Sequence, residues 1–478
     1  MLCKLPRRSK NFAARLPFCV PFLFALIPQS SAQTVPPLDV PLNNPSARDP
    51  DAIAIDGWQL YPTLRLYSLY SDNLFQSPQS PISVPGIGIA PSLTAVWTNG
   101  IHTTTLYGNI DRQAYPTDNA VNTIDGRTGF TEKYEAMRDL IFTVNGNYAH
   151  TTWSTGLQNS IQTPAAAPAT TVLPNGNTVL PNGTILSPTG QPTGQVNVAS
   201  GSSIPLVVNP FNQYTGTFTI DKIFNRGIMS LSASIGRTNF DNQSIQPDFT
   251  SRTLTENAAF WLGPLIYAYS NGSVGTVATD ATFGSATALS VTSTPSRTTT
   301  SYRVVGGLGT RPLELFSGSV YIGHQGSEVD GSTAGGYVYG GALTYNPTTT
   351  WTLTGTLDRT TNIASQTSSS TNLALTLPGL TAVQVSIGSS TQVTSAGLRS
   401  SYEITPQWFA NCQLAYSRIE YIDSSRLDNS WVLDATLRYD IWRNLSITWE
   451  YRFTSLLSNA PLTSLTSNYG VMGATYKF

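Results

Sequence analysis

The chain has 478 residues and is close to neutral, with 26 Lys and Arg against 27 Asp and Glu, so it lacks the basic field that a nucleic-acid partner requires. Only 11% of residues are charged, against roughly 25% in soluble domains, and Ser, Thr, Asn, Gln, Gly and Tyr fill the deficit. Three cysteines in such a length exclude a disulfide-rich scaffold.

The first element is a leader. Lys4, Arg7, Arg8, Lys10 and Arg15 precede an apolar run from Leu16 to Ile27 that ends at Ser30-Ser31-Ala32. A run of about 12 residues is too short to span a bilayer, and its flanks fit a signal peptide over residues 1–32, cleaved after Ala32. Cys19 follows Leu16-Pro17-Phe18, which is not the small-residue context of a lipid anchor. Cleavage removes five basic residues, leaving 21 against 27 acidic ones, and leaves Cys412 as the one cysteine, so neither a disulfide nor a cysteine zinc site is expected. Residues 33–57, with Pro36, Pro37, Pro41, Pro45 and Pro50, read as an unpaired periplasmic lead-in.

From Trp58 the hydrophobic period becomes two. Ile87, Ile89, Pro91, Leu93, Ala95 and Trp97 share one face of a strand, as do Met229, Leu231, Ala233 and Ile235. Near the C-terminus Trp431, Leu433, Ala435, Leu437, Tyr439 and Ile441 alternate with Val432, Asp434, Thr436, Arg438 and Asp440. After Trp442-Arg443-Asn444, Leu445, Ile447, Trp449, Tyr451 and Phe453 alternate with Ser446, Thr448, Glu450 and Arg452. The pattern predicts about 18 strands (16–20), at 58–70, 86–98, 101–113, 123–135, 140–153, 212–223, 228–240, 251–262, 265–279, 298–309, 315–328, 334–345, 349–360, 389–403, 408–420, 429–440, 445–456 and 466–478. Connections alternate between tight turns such as Asn99-Gly100 and Gly263-Pro264 and long loops such as 71–85, 154–211 and 361–388. An all-β, antiparallel transmembrane barrel over residues 58–478 meets every one of these features, with tight turns in the periplasm, long loops outside and both termini on the periplasmic side. Loop 154–211 repeats itself, VLPNGNT over 172–178 and VLPNGT over 179–184, and can be either a surface hairpin with two Asn-Gly turns or a constriction folded into the lumen.

The closing strand ends GVMGATYKF, and its aromatic finish, Tyr476 and Phe478, resembles the C-terminal signal read by barrel-assembly machinery in outer-membrane proteins. Tyr70-Ser71-Asp72-Asn73-Leu74-Phe75 and Ser319-Val320-Tyr321-Ile322-Gly323-His324-Gln325 give the chain a resemblance to the outer-membrane β-barrel (porin 2-like) family of Proteobacteria, covering about residues 58–478. The resemblance implies a barrel without catalytic residues, with exopolysaccharide export and its export components as one role.

The alternation puts Arg65, Asp111, Arg127, Asp221, Arg303, Asp358, Arg399, Asp434, Arg438, Glu450 and Arg452 inward as candidate pore-lining residues. Burying charge away from lipid is required by stability alone, and a field acting on permeant solutes is the functional reading. Both signs occur, so weak ion selectivity is expected. Asp434, Arg438, Glu450 and Arg452 could form a charge ladder on two neighbouring strands. Trp58, Trp97, Trp153, Trp261, Trp351, Trp408, Trp431 and Trp449 fit interfacial girdles. A rim hydrolase would need His102, His150 or His324 beside a nucleophile, and neighbours such as Thr151 and Ser327 do not by themselves make a triad. No solenoid repeat appears, and the lead-in is too short for a plug domain. The expectation is a non-enzymatic outer-membrane channel without metal or cofactor, its surroundings outer-membrane lipid and lipopolysaccharide, with a rim hydrolase or a structural, adhesive barrel as alternatives.

Overall fold

A computed structural model describes residues 52–478 except 75, 77–80, 117–121, 155–170, 173–177, 180–183, 187–191, 196–206, 242, 244–246, 284–292, 295, 311–314, 330–331, 363–390, 423–424 and 461–462. The signal peptide and most of the lead-in thus lie outside the described residues.

Eighteen strands follow one another around the molecule. They are β1 (Trp58–Ser71), β2 (Val84–Thr98), β3 (His102–Ala114), β4 (Thr123–Met137), β5 (Leu140–Ser154) and β6 (Val207–Phe224). Next come β7 (Gly227–Phe240), β8 (Phe249–Trp261), β9 (Ile266–Thr279), β10 (Arg297–Thr310), β11 (Phe316–Val329) and β12 (Ser332–Thr348). The circuit is completed by β13 (Trp351–Asn362), β14 (Thr391–Thr405), β15 (Trp408–Tyr421), β16 (Leu427–Trp442), β17 (Leu445–Ser458) and β18 (Leu465–Lys477). Every strand pairs antiparallel with its chain neighbours, and β18 returns to β1 from Thr63↔Lys477 to Ser71↔Tyr469. The sheet is therefore a closed barrel, and closure satisfies the edge groups that lipid could not.

Parity separates two faces. Leu66, Ile87, Ile110, Ile235, Val304, Val320, Ile322 and Leu343 are all more than half exposed and point outward. Arg65, Asp111, Asp221, Ser232, Thr255, Gln325 and Glu450 are buried on the inner face. An apolar exterior around a polar interior inverts a water-soluble protein, and lipid is the solvent that accepts it. Outer aromatics form cross-strand ladders toward the short-turn end: His102, Tyr134, Phe142 and Phe218 stack across β3–β6, and Trp408 stacks on Tyr439 and Trp449. This is one interfacial girdle. Trp261 departs from the expected belt, since its register partner Tyr267 is an inner-face residue.

Two local findings go beyond the expected pattern. Ile53–Ile55 is not unpaired lead-in: it folds back on β1 through Asp56-Gly57, with pairs Ile53↔Leu60 and Ile55↔Trp58. Both turn residues have positive φ, 48° and 83°, which Asp-Gly tolerates. The fold-back covers the edge of β1 below the end of β18, where Phe478 N–H donates to Pro62 O at 3.1 Å. Within the long β5–β6 connection, Thr171–Val172, Thr178–Val179, Thr184–Leu186 and Pro192–Gln195 form a small antiparallel meander, so the repeated unit makes successive hairpins. The Asn-Gly turns between them lie outside the described residues.

Candidate functional site

The candidate site is the inner wall, because that is where the barrel gathers its charge. The eleven singled-out residues, Arg65 to Arg452, all fall on inner-face registers: Arg65 opposite Ala90, Asp111 opposite Asp125, Arg127 opposite Asn109, Asp221 opposite Ser230, and Arg303 opposite Ser273. Asp358 stands opposite Ser395 and Arg399 opposite Gln413, while Asp434 faces Arg452, Arg438 faces Thr448 and Glu450 faces Thr436.

Around the seam these groups are tied together. Arg65 Nη2 meets Glu450 Oε1 at 2.6 Å, with side chains only 10% and 6% exposed, and its guanidinium lies 5.0 Å from the centre of the Tyr67 ring. The Tyr67 hydroxyl donates to Asp111 Oδ1 at 2.5 Å. Arg452 Nε donates to Asp434 Oδ1 at 2.5 Å across β16 and β17. The expected four-residue ladder is thus split. Glu450 turns to β1 instead, and Arg438 pairs within its own strand with Asp440 at 2.7 Å. Both choices follow from geometry: Glu450 and Arg438 have Thr436 and Thr448 as direct partners and find opposite charge elsewhere.

At the outer end of the seam the Tyr70–Phe75 motif acts as a clasp. Asp72 accepts from the Asn468 backbone N–H at 2.7 Å and from its side-chain amide at 2.6 Å, and Asn73 Nδ2 donates to Thr466 O at 3.2 Å. Leu74 joins the buried inner cluster of Tyr67, Leu69, Val84, Ala90, Tyr115 and Val471. Phe75 lies outside the described residues.

A second device recurs along the wall, at the seam and away from it, which strand counting does not reveal. Five inner tyrosines stand directly opposite a glycine: Tyr67 and Gly88, Tyr107 and Gly129, Tyr267 and Gly309, Tyr269 and Gly307, Tyr321 and Gly340. A Cβ added at Gly88, Gly309 or Gly307 would lie 2.1, 2.3 or 2.6 Å from the tyrosine Cζ. The rings therefore lie over the neighbouring strand rather than projecting toward the axis. The only sequence signal is a Tyr and a Gly that register later brings face to face.

The three histidines do not build a catalytic group. His102 Nδ1 contacts Glu132 at 2.8 Å on the outer face, with Thr104 donating to the same carboxylate. His150 lies 3.0 Å from Asn212 Oδ1, and His324 stacks on Tyr302, both again on the outer face. Ser327 is buried inside while His324 is outside, so this neighbouring pair is divided by the wall. Tyr476 and Phe478 pack edge-on at 4.9 Å at the short-turn end, and Asn444 Nδ2 donates to the Tyr476 hydroxyl at 2.8 Å. Among the described residues no group of three His, Cys, Asp or Glu side chains is placed to hold a metal, and Cys412 forms no disulfide there.

A closed antiparallel barrel, apolar outside and charged inside, defines the class of outer-membrane β-barrels. The chain belongs to the family described as "Putative beta-barrel porin 2", whose model matches residues 189–478, more than half of its length. The match contains the Ser319–Gln325 motif; the Tyr70–Phe75 motif precedes it. Solved structures similar to this chain include OpdQ of Pseudomonas aeruginosa (10% identity, 89% of this chain and 98% of that one, TM-score 0.44). OpdL of Pseudomonas aeruginosa is similar at 13% identity over 89% and 100%, with TM-score 0.43. The siderophore receptor PirA from Acinetobacter baumannii is similar at 7% identity over 88% and 80%, with TM-score 0.46. No protein of curated function matches the sequence.

Proposed function

We propose that the protein is a passive, weakly selective outer-membrane pore for small hydrophilic solutes. The observation that carries this reading is the inner wall itself: barrels of about 16–18 strands leave an aqueous channel, and here the wall facing it keeps its tyrosines flat and carries charges of both signs, those at the seam tied in pairs. A lumen cleared of side chains passes solutes by size, and charges of both signs exert little net field on ions. The protein then acts without cofactor or covalent chemistry, and neither a rim hydrolase nor a purely structural barrel is needed to account for the wall.

Planar-bilayer recording of the refolded protein tests the reading. Ohmic channels with low cation–anion preference are expected. Deleting residues 160–205 leaves the conductance unchanged if that segment is a surface hairpin and raises it if the segment narrows the lumen. No conductance in either form would overturn the proposal. Export of an exopolysaccharide through the same lumen, with its export components, is the narrower reading implied by family resemblance. It is distinguished by oligosaccharides that block the current at low concentration.

A further inference from the structure

The outer face carries a set of arginines that neither pore function nor barrel closure uses. Arg112, Arg237, Arg252, Arg359 and Arg418 occupy outward registers, opposite Ile89, Tyr214, Ile235, Tyr339 and Asn429 respectively. Each lies within three residues of the long-loop end of its strand, next to Ala114, Phe240, Phe249, Asn362 or Tyr421. Among described strand residues, the outward base at the opposite end is Lys222, and it is neutralised by Asp139. The asymmetry is therefore one-sided: arginine on the outer face gathers where the barrel meets the outer leaflet.

The five differ in what holds them. Arg237 pairs with Asp280 at 2.7 Å and Asp248 at 3.4 Å. Arg359 and Arg418 flank Thr394 in one row across three strands and share Glu420, at 3.8 and 2.7 Å. Glu328 is a further exposed acid on this face. Arg112 and Arg252, by contrast, are exposed and have no hydrogen-bond or ion-pair partner among the described residues. A guanidinium presents a planar fork of donors that fits phosphate bidentately, and on a lipid-facing wall the phosphate must come from a lipid.

We propose that Arg112 on β3, Arg252 on β8 and the Arg359–Arg418 row on β13 and β15 each bind phosphate groups of lipopolysaccharide molecules around the outer leaflet. The inference rests on the outer-membrane placement of the barrel and on its long-loop end facing outward, not on conduction. Lipopolysaccharide, rather than a glycerophospholipid, is the occupant because the arginines on the lipid-facing wall of the strands crowd one end, while Arg138, Arg226 and Arg443 at the other lie in the turns beyond the strands: an ordinary phospholipid present in both leaflets would favour a similar belt within the strands at the short-turn end.

Native mass spectrometry of the full barrel in detergent, titrated with lipid A, tests this. The protein as it stands is expected to retain lipid A. The double substitution Arg112→Gln and Arg252→Gln is expected to weaken retention about tenfold, as loss of charge-assisted bonds would. Arg112→Lys with Arg252→Lys is expected to keep part of it, and dephosphorylated lipid A to bind like the Gln variant. Equal retention by the Gln variant, equal binding of dephosphorylated lipid A, or equal binding of phosphatidylglycerol would each overturn the proposal. Heat-modifiable migration on gels reports that the variants are folded, since both side chains project away from the wall. Conductance recorded on the same samples separates the two readings: lipid retention without current would sink the pore and leave the anchor standing.

Discussion

The wall at the closing seam and the wall on the far side of the ring share one strand period but hold their inner faces differently. Around β16–β18, β1 and β3 the inner residues are charged and tied, as Arg65–Glu450, Arg452–Asp434 and Arg438–Asp440. Around β9–β13 the inner face is tyrosine laid on glycine, and Arg303 and Asp358 make no ion pair within 4.0 Å. The difference follows from how each region finds its register. On the far wall a tight turn joins β12 to β13, and turn geometry fixes which residue meets which. At the seam Arg452–Asp434 spans β16 and β17 across such a turn, but Arg65 and Glu450 come from opposite ends of the chain, 385 residues apart, so no turn helps that pair. A slip of one residue there would bring Arg65 to the lipid face, and a specific ionic lock makes the slip costly.

The comparison can be broken in order of expected effect. Arg65→Ala should be the most damaging, lowering stability by about 3 kcal/mol in urea unfolding from lipid vesicles, because Glu450 is left buried without its main counter-ion. Arg65→Met with Glu450→Gln should recover much of that loss; a double variant as weak as the single would show that the lock is not ionic. On the far wall Gly309→Val should cost about 1–3 kcal/mol by overpacking and lower the single-channel conductance, since Tyr267 must leave its seat. Gly355→Ala, where nothing lies within 4 Å, should change stability by less than about 0.5 kcal/mol and leave the current alone. A conductance unchanged by Gly309→Val would mean that the rings do not govern the free lumen.

Asp72→Ala removes the clasp on Asn468 and should destabilise by about 1–2 kcal/mol, speeding unfolding from the seam. A small effect is expected at the short-turn end as well. There Lys222, by donating a hydrogen bond to the Asp139 carboxylate, holds that carboxyl below its ordinary range. A depressed carboxyl stabilises the fold above the ordinary carboxylate pKa of about 3.9 and loses that contribution as the pH falls through its folded value. Asp139→Asn should therefore trim stability slightly at neutral pH and leave the acid limb of the unfolding curve shallower; an identical curve would remove the pair from the account.

The barrel was legible because lipid enforces alternation strictly: Leu445, Ile447, Trp449 and Tyr451 cannot trade faces with Ser446, Thr448 and Glu450 without exposing charge to hydrocarbon. The inward side of Arg303 or Asp358 follows from the same rule. Partners did not follow, since Glu450 chooses Arg65 over the neighbouring strand only once the ring is closed. The tyrosine–glycine seats need cross-strand register, and the fold-back at Ile53–Ile55 is too short for any periodicity to announce. Outward arginines escaped the alternation argument because its penalty fades near the interface, which is where Arg112 and Arg252 sit.

The fold-back also alters what the ends of the chain mean. Phe478 stands against Pro62 and Ile53 against Leu60, and both segments run in the same direction along the same edge of β1. The tail of the last strand and the head of the first hairpin thus form one interrupted rail, with room for a single residue opposite Tyr61. A gene rearranged to splice Phe478 onto Ala52, with new ends opened in the β13–β14 connection, would keep every ladder of the cylinder and turn its last join into an ordinary peptide bond.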